Sequence, residues 1–154
     1  MNWFFALISN EFFIIGLSSW ALAQIIKTII HAAVYKKLEW ERLFGDGGMP
    51  SGHSATVTSV ASTAALVFGL GSFEFAIAAT LAIIVCHDAM GVRRETGKQA
   101  TIIIEMLELM EAMTKKDLPE AKLKEFVGHT PLQVGAGIII GIANACFMHF
   151  VVFA

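Results

Sequence analysis

The sequence predicts an all-α membrane protein with about four transmembrane helices in one bundle. Of its 154 residues, 56% are hydrophobic and only 16% are charged, whereas roughly 25% are charged in a soluble domain. The mean hydropathy is +0.67. Apolar runs alternate with short polar segments, and the length suits one compact unit. We therefore expect a single membrane-embedded domain over residues 1–154.

Four apolar runs approach the roughly 20 residues that an α-helix needs to cross a hydrocarbon core of about 30 Å. They cover residues 12–34, 55–70, 73–89 and 134–153. A tight turn at residues 69–72 makes the second and third runs a helical hairpin. No basic region precedes the first run and no small-residue cleavage pattern follows it, so we expect that run to remain in the mature protein.

The basic residues predict the orientation in the membrane. All 11 Lys and Arg residues lie between Lys27 and Lys124, in or beside the polar segments 35–50 and 90–130. With four spans, these segments share one side of the membrane and both termini emerge on the other. The positive-inside rule places the polar side in the cytoplasm.

A polar helical insertion is predicted between the third and fourth spans, at about residues 95–127. Within it, residues 101–113 repeat apolar positions at helical spacing opposite Glu105, Glu108 and Glu111, which predicts an amphipathic helix. That helix either lies on the bilayer surface or caps the bundle as a solvated helix. A charged connector at residues 115–125 follows it and is interrupted by Pro119.

Composition disfavours two classes of function. The 11 basic and 13 acidic residues give a net charge of -2, without the basic excess of a nucleic-acid-binding protein. Cys86 and Cys146 lie 60 residues apart within apolar runs. That spacing matches neither a disulfide scaffold nor a zinc site, so we interpret both cysteines as small core residues.

Three polar clusters border the predicted cytoplasmic side. The first, GGMPSGHS at residues 47–54, comes immediately before an apolar helix. Proline near a helix start leaves backbone N–H groups pointing outward, and these groups together with the helix dipole attract phosphate. Ser51 and His53 add a hydroxyl and a titratable imidazole. The alternative interpretation is a plain capping loop.

The second cluster, HDAMGVRRETGK at residues 87–98, ends the third apolar run. A guanidinium presents a planar fork that suits phosphate oxygens, and Asp88 is close enough in sequence to hold either Arg93 or Arg94 in place. Alternatively, adjacent arginines at a membrane boundary are only topology signals. We interpret His87 as an interfacial residue.

The third cluster, GHTPLQVGAG at residues 128–137, opens the last run. Residues 129, 133, 137, 141 and 144 form one helical stripe of His, Gln, Gly, Gly and Asn, which we expect to face the bundle. Gly137 and Gly141 form a pair that permits close backbone approach between helices. Packing therefore explains the two glycines but not His129 at the polar end.

The first apolar run carries Gln24, Lys27 and His31 on one helical face. Because an ionisable residue within a span is energetically costly, Lys27 indicates a functional partner inside the bundle. Alternatively, its side chain extends to the membrane boundary. We interpret His31 as interfacial and not catalytic.

These motifs resemble the divergent bacterial and plant branch of the type-2 phosphatidic acid phosphatase superfamily, whose wider fold includes the vanadium haloperoxidases. GGMPSGHSA at residues 47–55 matches the superfamily's Pro-Ser-Gly-His motif, and DAMGVRRETGKQA at residues 88–100 resembles the signature of the branch. GHTPLQVGAGIIIG at residues 128–141 is similar to the final element, a histidine followed four residues later by an acid and then by spaced glycines. Three motifs in order make the resemblance specific.

The chain also departs from the superfamily pattern. The first motif of the superfamily is a lysine, six residues and then Arg-Pro, whereas Lys27 is followed at that position by Val34 and the chain contains no Arg-Pro. An arginine normally precedes the nucleophilic histidine by six residues, but Arg93 and Arg94 lie more than 30 residues before His129. The position of the orienting acid holds Gln133.

The resemblance implies hydrolysis of a phosphomonoester or diphosphate through a phosphohistidine, with no metal cofactor. His129 would be the nucleophile and His53 the acid that protonates the leaving oxygen. Asp88 and Gln133 would support these groups. The groups that would hold the phosphate oxygens are Lys27, Ser51, Arg93, Arg94 and the Gly52 N–H. Phosphate, or vanadate as its transition-state mimic, would occupy the site.

A site at the mouth of membrane helices favours a lipid phosphate as substrate, with its head group on the cations and its acyl or prenyl tail in lipid. Phosphatidate, phosphatidylglycerophosphate and polyprenyl diphosphate all qualify. The rival is a non-catalytic membrane protein that binds anionic lipid head groups or a partner protein. A transporter is disfavoured, because the clusters gather at one boundary and not at mid-membrane. We expect contact with membrane lipids and not with nucleic acid, and the oligomeric state stays open.

Overall fold

The computed structural model describes residues 3–37, 48–114 and 128–153. Every regular element in these ranges is helical. The helices are α1 (Trp3–Ile8), α2 (Glu11–Tyr35), α3 (Gly52–Phe68), α4 (Phe73–Met90), α5 (Val92–Thr114) and α6 (Pro131–Phe147), which continues as a short π-helical segment (Met148–Val152). The predicted connector at residues 115–125 lies outside the described residues, as does most of the first polar segment.

Three helical stretches of the described chain are long and apolar enough to cross a membrane: Glu11–Tyr35, Phe73–Thr114 and Pro131–Val152. They contain the predicted first and third apolar runs and all but the last residue of the fourth. α3 contains residues 55–68 of the predicted second run and has 17 residues, which corresponds to about 25 Å at 1.5 Å per residue. The described part of this membrane protein is thus all-helical, with three candidate membrane-spanning helices.

α3 is the central helix of the bundle and packs against α2, α4 and α6. Its buried face is made of small and hydroxyl-bearing residues, among them Ser59, Thr63 and Ala64. Ser59 Oγ donates to the Thr56 carbonyl at 2.8 Å, and Thr63 Oγ1 donates to the Ser59 carbonyl at 2.9 Å. Because these hydroxyls bond within their own helix, α3 can be enclosed by three neighbours without leaving polar groups unpaired.

Two glycines of α6 let it approach the backbone of α3 very closely. A Cβ atom built on Gly137 would lie 2.5 Å from the Ser51 carbonyl oxygen, and one on Gly141 would lie 2.5 Å from the Ala55 carbonyl oxygen. Side chains larger than hydrogen would therefore force the two helices apart. This is the close approach that the spacing of the two glycines predicts for a membrane bundle.

Polar side chains join the C-terminal part of α6 to the N-terminal part of α2. Asn144 Nδ2 donates to Ser18 Oγ at 2.9 Å and to Ser19 Oγ at 2.8 Å. One turn further on, Glu11 Oε1 lies 2.6 Å from His149 Nδ1. These contacts connect positions more than 120 residues apart in the sequence, and they explain the Asn at the end of the predicted stripe.

Local signals determine where the helices begin and turn. Asn10, Ser51, Ser72 and Thr130 are N-caps whose side chains accept backbone N–H groups of the first turns. The hairpin between α3 and α4 turns at Gly69, whose φ of +83° is a left-handed conformation that favours glycine. The predicted tight turn at residues 69–72 is therefore present.

Two helices differ from expectation. α1 was not predicted, and its aromatic side chains Trp3, Phe4 and Phe5 are all exposed. α5 begins at Val92, nine residues before the predicted amphipathic helix, so much of the second cluster is helical. Gly91 is the only residue between α4 and α5, and Glu95 in the first turn of α5 favours a helix start there.

Candidate functional site

The three polar clusters meet through main-chain hydrogen bonds at one end of the bundle. The Ser51 N–H donates to the Gln133 carbonyl at 3.0 Å, which joins the first cluster to the third. The His129 N–H donates to the Ala89 carbonyl at 2.9 Å, which joins the third cluster to the second. Segments that are far apart in sequence are therefore held together by main-chain atoms.

Gly128 brings the second cluster directly beside His129. Its φ is +95°, and a Cβ atom at this position would lie 2.3 Å from the Arg94 backbone nitrogen. Glycine is thus required both by the backbone conformation and by the contact. Arg93 Nε donates to Asp88 Oδ2 at 2.9 Å, so Asp88 pairs with the first of the two adjacent arginines. The side chains of Asp88, Arg93 and Arg94 are all substantially exposed.

Gln133 orients the ring of His129, which is only 6% exposed. The Thr130 N–H donates to Gln133 Oε1 at 3.0 Å, and because a backbone N–H only donates, this bond identifies the oxygen of the amide. The same oxygen lies 3.2 Å from His129 Nδ1. A neutral imidazole therefore carries its proton on Nδ1 and keeps the lone pair on Nε2.

Gln133 also has a structural role at the start of α6. Its N–H donates to Thr130 Oγ1 at 3.4 Å, while its side chain accepts the Thr130 N–H. Together these bonds form a capping box. Gln133, at the position where the resemblance implies an acid, thus makes an orienting hydrogen bond to His129. It lacks the negative charge that would stabilise an imidazolium.

The first turn of α3 forms the second part of the site. Ser51 is completely buried, and its Oγ accepts the Ser54 N–H at 3.4 Å and the Ser54 hydroxyl at 3.0 Å. Its hydroxyl therefore caps the helix, as the alternative interpretation of this motif expected. Gly52 and His53 follow, and N–H groups in the first turn of a helix have no carbonyl partner within it. Gly52 is buried, whereas the His53 side chain is exposed.

One face of α2 lies against this turn. Lys27 is 6% exposed, and its aliphatic stem lies 3.4 Å from the Cβ position of Gly48, in the loop before α3. Gln24, also 6% exposed, has its Cδ 3.9 Å from the Cβ position of Gly52. Lys27 is therefore packed beside the first cluster and does not extend into open solvent. The sequence predicted that Gln24 shares a helical face with Lys27, but it did not predict the contact with Gly52.

Gln24 adds a polar group that the sequence analysis did not assign to the site. Its Oε1 is buried and accepts no hydrogen bond within the described parts of the chain. An unpaired buried acceptor costs about 1–3 kcal/mol. Hydropathy patterns give no signal for such an atom, because its pairing depends on how α2 packs against α3.

The remaining sequence candidates lie in different settings. His31 is partly exposed and its ring lies against Tyr35, with centroids 4.5 Å apart. His87 is exposed near the end of α4. Both positions fit the predicted interfacial interpretation. At the end of the bundle where the three clusters meet lie Lys27, Ser51, Gly52, His53, Asp88, Arg93, Arg94, His129 and Gln133.

Comparison with known proteins identifies the family. Residues 8–144 match the Divergent PAP2 family, and this range contains all three clusters. The chain belongs to the divergent PAP2 family. PAP2 denotes type-2 phosphatidic acid phosphatase, so the resemblance seen in the motifs is confirmed. The chain is also 40% identical over 145 residues to "Uncharacterized membrane protein YuiD" of Bacillus subtilis (strain 168), an alignment that covers 88% of this chain and 92% of YuiD. No solved structure matches the chain.

Proposed function

We propose that this protein is a membrane phosphatase that hydrolyses a lipid phosphate or a prenyl diphosphate through a phosphohistidine, without a metal ion. The observation that carries the proposal is the hydrogen bond between Gln133 Oε1 and Nδ1 of the buried His129. It leaves a lone pair on Nε2, as a nucleophilic imidazole requires. Family membership adds support, because the divergent PAP2 family belongs to a phosphatase-related superfamily.

In the first step, His129 Nε2 attacks phosphorus, forming an N–P bond while the P–O bond to the lipid breaks. His53 gives its proton to the departing oxygen, so the lipid leaves as a neutral alcohol or a lower phosphate. In the second step, water attacks phosphorus, the N–P bond breaks, and His53 takes up a proton from the water. Inorganic phosphate and the original protonation states result.

The cations and the α3 terminus stabilise the charge that develops on the phosphoryl oxygens. Lys27 contributes from α2, and Arg93 and Arg94 contribute from the start of α5. The Gly52 N–H contributes as part of the helix end that Ser51 caps, so Ser51 acts mainly by positioning this turn. Asp88 restrains Arg93 through their ion pair.

The proposal includes a four-span topology, in which α3 crosses the membrane in addition to the three candidate membrane-spanning helices. Its 17 residues fall slightly short of the roughly 20 needed to cross alone, but three neighbouring helices pack against it. The motif-bearing side would then be cytoplasmic and both termini would lie opposite. A Lys116→Cys variant in intact cells should resist an impermeant thiol reagent, and ready labelling would contradict this orientation.

Phosphate release from the purified protein in detergent tests the activity. We expect wild type to release phosphate from at least one lipid of a phosphate panel in the presence of EDTA, with inhibition by vanadate. His129→Ala should abolish the release, whereas His87→Ala, which removes an exposed imidazole of α4, should retain it. Equal slow release by wild type and His129→Ala would instead favour the rival interpretation, a protein that binds anionic head groups without catalysis.

The role of His53 as a proton donor has a separate test. General acid catalysis typically contributes about 10²–10⁴-fold, and it matters only when the leaving oxygen is basic. His53→Ala should therefore slow hydrolysis of an alkyl phosphate by about this factor and slow an aryl phosphate with an acidic leaving group much less. An equal loss on both substrates would assign His53 to binding or structure.

A further inference from the structure

A long apolar groove lies between α3, α4 and α6. Its volume is about 550 Å³, within the usual range for ligand pockets. Alanine side chains, including Ala65 on α3 and Ala82 on α4, leave space, and Leu70 and Phe75 line one end of it. Cys86 and Ile138 line the other end.

One buried cluster lies between the groove and the candidate site. Cys86, Ala89 and Val134 pack together, with Ile138 against them. Ala89 is the residue whose carbonyl accepts the His129 N–H, and it follows Cys86 by less than one helical turn. The groove therefore ends within one helical turn of the residue that binds the main chain of the predicted nucleophile.

The dimensions of the groove fit one hydrocarbon chain. From Cys86 to Phe75, α4 extends about 16 Å at 1.5 Å per residue. This length is similar to one leaflet's half of a hydrocarbon core of about 30 Å. A chain attached to a head group at the membrane boundary would thus lie alongside α4 towards the bilayer interior.

We propose that this groove seats one hydrocarbon tail of the lipid phosphate whose head group is bound at His129, an inference that rests on the proposed function. Within a bilayer, transfer of the tail from lipid to groove gains no hydrophobic free energy. The groove instead contributes van der Waals contact and orientation. Its effect is therefore to favour long-chain substrates over short-chain esters with the same head group.

Filling the groove tests this inference. Ala82→Phe places a ring within it, and Ala76→Phe is the matched control, because Ala76 is an exposed residue of the same helix that does not line the groove. We would measure kcat/KM for long-chain and short-chain lipid phosphates with one head group in mixed micelles. Ala82→Phe should lower the long-to-short ratio by about tenfold or more, while Ala76→Phe keeps the wild-type ratio.

A second groove variant, Ala65→Phe, should lower the ratio in the same way from the α3 side. An unchanged ratio in both groove variants, or an equal loss on both chain lengths, would overturn the inference. If wild type hydrolyses none of the lipids, the proposed function fails, and a lipid phosphate with a diazirine in its tail then tests the groove. Labelling of α3, α4 and α6 that Ala82→Phe abolishes supports a tail. If wild type instead forms a cross-linked dimer without lipid labelling, and Ala82→Phe loses that dimer, the groove is assigned to a second copy of the chain.

Discussion

Replacing Gly137 with alanine should separate α3 from α6 at the site end of the bundle. The new Cβ would lie 2.5 Å from the Ser51 carbonyl oxygen, whereas carbon–oxygen contacts ordinarily begin at about 3.3 Å. The helices must therefore move apart by about 0.8 Å. This movement would stretch the nearby hydrogen bond from the Ser51 N–H to the Gln133 carbonyl, now 3.0 Å, beyond hydrogen-bonding distance.

We expect such overpacking to lower the free energy of unfolding by about 1–3 kcal/mol, or the melting temperature by about 2–12 °C. Cys86 is buried, so its reaction with a thiol-reactive fluorophore during heating in detergent reports unfolding. Gly135→Ala is the control, because a Cβ on Gly135 meets no atom within 4 Å. It should be neutral or slightly stabilising. If Gly137→Ala melts at or above the temperature of Gly135→Ala, the close helix contact is refuted.

Three further substitutions test other contacts. Gly128→Ala should lower the free energy of unfolding by about 1–3 kcal/mol from its left-handed backbone alone, and its Cβ would also clash with Arg94. Gly71→Ala is the control, because a Cβ there meets nothing within 4 Å, and it should melt like wild type. Equal melting temperatures of the two variants would contradict this. Asn144→Ala removes two interhelical hydrogen bonds worth about 0.6 kcal/mol each in membranes, and a double-mutant cycle with Ser19→Ala measures their coupling, which should not be zero. Gln133→Leu should reduce phosphate release by about 10²-fold through misorientation of His129, and Gln133→Glu should retain it. If the two variants release phosphate at the same rate, Gln133 has no role in the mechanism.

Much of the fold was predictable because membrane helices carry strong local signals. Apolar runs located α2, α3, α4 and α6 to within a few residues, and the proline of the first cluster indicated the helix start that the structure places at Gly52. α1 escaped prediction because it is short and exposed. The early start of α5 escaped because the charged residues after Gly91 are as typical of a loop as of a helix.

The candidate site was predictable in its residue types but not in its contacts. The motifs indicated which side chains carry charge, yet the hydrogen bond between His129 and Ala89 and the contact between Gly128 and Arg94 join residues about 35 to 40 positions apart. Such pairings follow from helix packing, which local patterns do not encode. The same limit applies to Ser51, whose hydroxyl suits either an anion or a helix cap, and which the structure uses as a cap.

The frame around the site is assembled largely from main-chain atoms and glycines, which affects how variants should be interpreted. Truncating an exposed side chain such as Arg94 removes a charge without removing any bond that joins the three segments. Loss of turnover in such a variant therefore reports on chemistry and not on collapse of the protein. Inserting or deleting one residue near the start of α6 would do the opposite, since it rotates every later position by about 100° and turns Gly137 away from α3.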